Sequence, residues 1–205
     1  MAIYTTLFLC EPEKLLAGFP EWKPALAQPV RREVRNPFTG EEMIIESRNP
    51  DWPEEEEEVS MPQFQAVEIN MPYEQYLEAR LPDFVRQFPH WASKGLTCVE
   101  FNPLLQVLGL NAELDMPIYS PPSSGNVVEE FPMEFLSALS AADLAAVSMQ
   151  WAAAMSTPEH THSVSGVRLY DDWTATYAHE ILNPILGLAR ESTTSSQRLY
   201  LLTEV

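Results

Sequence analysis

Proline punctuates this chain: 18 prolines stand against only 7 glycines. Each proline restricts φ to about −65° and removes a backbone donor, so many connections should be fixed and few flexible. Proline and charge also break up the apolar stretches. None reaches the uninterrupted length of about 18 residues expected of a membrane-spanning helix. What lies between the prolines is still rich enough to pack. Of the 205 residues, 45% are hydrophobic and 10% aromatic, with five Trp, which argues against global disorder. That supports one sizeable core, or a core with a small appended lobe.

Residues Ile3 to Cys10 are β-branched, aromatic or apolar and read as a first strand. Val30 to Arg35 and Glu42 to Ser47 flank NPFTGE, whose Asn36, Pro37 and Gly40 suit a β-hairpin turn. Phe64 to Asn70 is a further strand candidate. Pro72 opens a helix from about Tyr73 to Phe88, with Tyr73, Tyr76, Leu77 and Phe84 at helical spacings. Leu96 to Phe101 is short and apolar and reads as a buried strand, followed by a short helix from Pro103 to Leu110. DMPIYSPPSSGN is a loop and the best candidate for a boundary between lobes. Beyond it the chain reads as helical. Phe131 to Leu139 is one helix. Ser140 to Met155 is a second, with Ser140 and Asp143 as its start signal. Tyr170 to Arg190 is a third, which Pro184 should kink or break. Arg198 to Thr203 returns as a strand. The expected fold is α+β in a single domain. Residues 1–115 are rich in sheet, mixed or antiparallel, and carry the hairpin; residues 128–205 are rich in helix.

Thirty acids against 12 bases give a net charge of −18. A small domain needs a magnitude of roughly 2–8 for solubility, so solubility alone does not explain this imbalance. Such a surface repels nucleic acid and anionic membrane and attracts cationic proteins and metal ions. The acids are unevenly placed. Between Glu41 and Glu58 there are nine (Glu41, Glu42, Glu46, Asp51, Glu54, Glu55, Glu56, Glu57 and Glu58) and one base, Arg48. Within that window they cannot be neutralised. Between Lys94 and Arg168 there is no Lys or Arg at all.

The Glu54 to Glu58 run is a candidate docking patch for a cationic partner, although such runs are usually solvated loops. Trp52, between Pro50 and Pro53, has the setting of an interface anchor, or covers its own hairpin. Glu159, His160 and His162 form an E-H-T-H cluster that His179 and Glu180 could complete as a metal shell. The cluster lacks the HExxH spacing and any Cys pair, so an exposed polar loop is the simpler reading. Cys98 and His90 could form a nucleophile and base, but a thiol in a buried strand is inert. Asp171 and Asp172 read as charge complement at a helix start. No G-x-S-x-G, P-loop, G-x-G-x-x-G or C-x-x-C is present. Two cysteines, Cys10 and Cys98, do not make a secreted disulfide framework, and MAIYTTLFLC lacks the basic start of a signal peptide. Both thiols are expected reduced and mostly buried, in a cytoplasmic protein.

FPEWKPALAQPVRREVRNPFTGEEM and HWASKGLTCVEFNPLLQVLG, together with FLSALSAADLAAVSMQWAA, LYDDW and the closing RLYLLTEV, resemble small acidic proteins of myxobacterial type. Some of those look like immunity partners of polymorphic toxins. The likeness is one of hydrophobic pattern over most of the chain and carries no active-site residue with it. It implies an immunity-type, protein-binding role; the acidity directs that role to a cationic toxin of nuclease type, which must be basic to hold phosphate, and the absence of motifs fits a protein with no cofactor and no catalytic residues. The alternatives are a metal-dependent enzyme built on Glu159, His160, His162 and His179, and a DNA mimic that binds many DNA-binding proteins.

Overall fold

YTTLFLC has the composition of a strand covered on both faces. The computed structural model describes residues 3–19, 23–35, 40, 42–50, 72, 75, 77, 79, 81–114, 117–120, 126–157, 173–191 and 196–204. In it this segment is β1 (Tyr4–Cys10), buried from Thr5 onward. Its neighbours are β5 (His90–Lys94) and β8 (Arg198–Glu204), both antiparallel to it. β8 continues into β7 (Val127–Glu130), then β6 (Tyr119–Ser120) and β2 (Lys23–Pro24). The six-stranded order is therefore β2-β6-β7-β8-β1-β5, which places the last strand of the chain beside the first, inside the sheet. β3 (Val30–Arg35) and β4 (Glu42–Ser47) form a separate two-stranded sheet, the expected hairpin.

Strand alternation sorts the central side chains onto two faces. Leu7 lies opposite Leu201 and Leu9 opposite Leu199, and all four join the larger core. Phe8 lies opposite Tyr200, with ring centroids 5.5 Å apart, and both join the smaller core with Cys10, Val128 and Leu202. The smaller core is closed by Leu15 of α1 (Pro12–Gly18), by Phe19 and by Val85 in a 3-10 turn. The larger core takes residues from four helices: α2 (Cys98–Val107), α3 (Phe135–Ala141), α4 (Leu144–Met155) and α5 (Ala175–Glu191). A run of ring contacts joins them, from Phe135 through Phe131, Phe101, Trp151 and Trp173 to Tyr177. Each fully buried Leu or Phe contributes roughly 1.5–3 kcal/mol by removal from water.

The α+β expectation holds, and several elements differ from their sequence reading. Leu96 to Phe101 is not a strand. Cys98 begins α2, and the start is set by a capping box. Thr97 Oγ1 accepts from Val99 N at 3.2 Å, while Glu100 Oε2 accepts from Thr97 N at 2.6 Å. Apolar composition could not separate a buried strand from a buried helix here, whereas T-x-x-E does. The helix expected up to Phe88 ends sooner. Gln75, Leu77 and Ala79 are helical, and the chain has left the helix at Leu81. Pro82 disfavours the α region for the residue before it. The stretch that follows includes β5, an unforeseen strand, and β7 lies just past the DMPIYSPPSSGN loop, where the chain was expected to turn helical. Ser140 does not start the second C-terminal helix. It lies in α3, where its hydroxyl donates to the Leu136 carbonyl at 2.7 Å. The cap of α4 is Asp143 alone, whose Oδ1 accepts from Ala145 N at 3.0 Å and Ala146 N at 3.4 Å.

α5 starts at Ala175 and runs through Pro184 to Glu191 without a break. Its buried stripe is Ala178, Ile181, Leu182, Ile185 and Leu188. Proline removes the hydrogen bond to the carbonyl of Glu180, an exposed residue, so water can take its place. Packing of the stripe holds the helix continuous. Among the described residues no helix is long and apolar enough to cross a membrane. The strand expected at Phe64 to Asn70 lies outside the described residues.

Candidate protein-docking face

The hairpin is the described part of the acidic region. β3 reads VRREVR and β4 reads EMIIES, and the register sets Arg31 opposite Glu46, Glu33 opposite Ile44 and Arg35 opposite Glu42. Residues two apart on a strand share a face, and so do directly opposed residues. One face of the hairpin therefore carries Arg31, Glu33, Arg35, Glu42, Ile44 and Glu46. Arg31 Nε reaches Glu46 Oε1 at 2.6 Å in an exposed ion pair. Arg35 Nε donates to the Gly40 carbonyl at 2.8 Å, tying its strand to the turn. Gly40 has φ of +71°, a conformation in which a Cβ would be strained, which accounts for glycine at this turn position.

Arg31 and Arg35, from the basic cluster Arg31, Arg32 and Arg35 that precedes the acidic window in the sequence, partly balance the acids of β4. Nine acids against one base in a sequence window gives no local neutralisation, yet Glu46 is paired in space and Glu42 stands opposite an arginine. The bases come from the neighbouring strand, outside the window. Ile44 is the residue that charge counting missed. It is 62% exposed in the middle of a charged face, an apolar centre with an ionic rim. The signal was present in β4, where Glu42, Ile44 and Glu46 alternate with Met43 and Ile45. Glu41, Asp51, Trp52 and Glu54 to Glu58 lie outside the described residues.

The acids of the base-free stretch are placed differently. Glu100 is 4% exposed and closes the cap of α2, accepting from both Thr97 N and Thr97 Oγ1. Its own carbonyl accepts from Trp151 Nε1 at 2.8 Å. Glu129, also 4% exposed, points from β7 to the opposite face from Val128. Glu130 lies 3.6 Å from Arg198 on the adjacent strand, and burial raises its carboxyl above the usual range against the opposing pull of that arginine. Asp143 caps α4. Glu113, Glu134 and the capping Asp143 are the exposed acids among the described residues of this stretch.

Of the suggested metal shell, His179 and Glu180 are described and Glu159, His160 and His162 are not. His179 Nδ1 lies 3.4 Å from the hydroxyl of Ser148, which donates to the Leu144 carbonyl, so the imidazole serves the α4–α5 contact. No group of three or more metal-ligating side chains occurs among the described residues. The thiols are free, Cys10 buried and Cys98 half-buried on α2, so the latter is more open than its strand reading implied. Burial pushes both thiols up to about 11, with Glu129 and Glu100 adding to the effect at Cys98 and Glu11 adding at Cys10. A thiol held that high is protonated at neutral pH and a poor nucleophile. His90, the suggested base, has Nδ1 2.7 Å from the Phe88 carbonyl. Asp171 and Asp172 lie outside the described residues. Trp151 of α4 and Trp173, just before α5, are core.

Compared with known proteins, the chain matches no family model, no curated protein and no solved structure at significant similarity.

Proposed function

We propose that this chain is an acidic protein-binding module that neutralises a cationic protein, a nuclease-type toxin, in the cytoplasm of the cell that makes it. The observation that carries the reading is the charge: −18 overall, with nine acids and one base between Glu41 and Glu58. A nuclease must be basic to hold phosphate. An acidic inhibitor is drawn to that surface over a distance and covers it without being a substrate. The hairpin supports the reading with an exposed apolar residue, Ile44, inside an ionic frame. On this reading the acids among residues 51–58 steer the approach, Trp52 is the anchor the sequence suggests, and Ile44 adds exposed apolar surface on the hairpin. Binding of this kind requires neither cofactor nor catalytic side chain.

The test is to immobilise the chain, capture partners from the cells that make it, and measure association with the purified partner across salt concentrations. The expected result is one basic protein whose association slows steeply as salt rises. Capture of many unrelated DNA-binding proteins would favour a DNA mimic. A basic partner that associates at a salt-independent rate would overturn electrostatic steering. Stoichiometric zinc in untagged protein, lost in a His160→Ala/His162→Ala variant, would move the reading to a metal-dependent enzyme.

A further inference from the structure

We draw no further inference here: the strongest candidate, the side-chain cluster of Cys98, Glu100 and Glu129 at the N-terminal end of α2, carries nothing, because Glu100 belongs to the helix cap and no second observation attaches a ligand to a lone cysteine.

Discussion

Two acid-rich regions of this molecule use carboxylates in opposite ways. On the hairpin, Glu42 and Glu46 are exposed and face arginines across a two-stranded ladder. In the base-free stretch, Glu100 and Glu129 are buried, Glu130 pairs with Arg198, and Asp143 caps a helix. Two of the second group have a backbone task, since Glu100 and Asp143 hydrogen-bond the N-termini of α2 and α4, where carboxylates are favoured. The first group has no comparable backbone task, and exposed ion pairs stabilise little. Net charge therefore overstates the surface available to a partner from the base-free stretch. The search for a docking face is directed to the hairpin side.

The largest stability effect should come from Glu100. Glu100→Ala removes the return half of the capping box at a buried position and should cost about 2 kcal/mol in denaturant unfolding. Glu100→Gln keeps an acceptor and should recover most of that loss. If Glu100→Ala unfolds at the wild-type midpoint, the acid has no folding role and the contrast between the regions fails.

Next in size is the partner experiment. Changing Glu54 to Glu58 together to Gln should slow association about tenfold at low salt and flatten its salt dependence, without moving the unfolding midpoint. Trp52→Ala should instead speed dissociation. An unchanged association rate in the five-Gln variant would make that run a solvated loop and put the binding surface on the base-free stretch between Lys94 and Arg168.

Asp143→Ala should cost about 1 kcal/mol, the usual loss for an N-cap carboxylate, while Asp143→Asn should cost much less. Equal losses in the two variants would show that charge, and not hydrogen bonding to Ala145 and Ala146, is what α4 requires.

The smallest effect is expected at the hairpin pair. A double-mutant cycle on Arg31→Ala and Glu46→Ala should return a coupling of about 0.5 kcal/mol or less, falling with added salt. A coupling several times larger would give Glu46 a structural task and erase the distinction from Asp143.

Local signals that depend only on neighbours along the chain were legible. The composition of YTTLFLC and RLYLLTE marked two strands, and the turn residues of NPFTGE between two strand-like runs marked the hairpin. The α+β class followed from these and from the helical spacings of the C-terminal part. T-x-x-E at Thr97 to Glu100 is a helix-start signal in the sequence that the strand reading of Leu96 to Phe101 left out. Pro184 was read by its local rule, and tertiary packing along the buried stripe of α5 overrode that rule.

From its sequence alone the chain determined its class, its hairpin, the adjacent strands β1 and β8 and its excess of carboxylates, because propensity, turn chemistry and charge act within a few residues. Only the tertiary structure decided which carboxylates are engaged. Pairing Arg31 with Glu46, or the Trp151 indole with the Glu100 carbonyl, depends on segments 15 and 51 positions apart meeting at hydrogen-bond distance. Such meetings are set by strand register and by the burial of two cores. Neither is visible in a window of sequence.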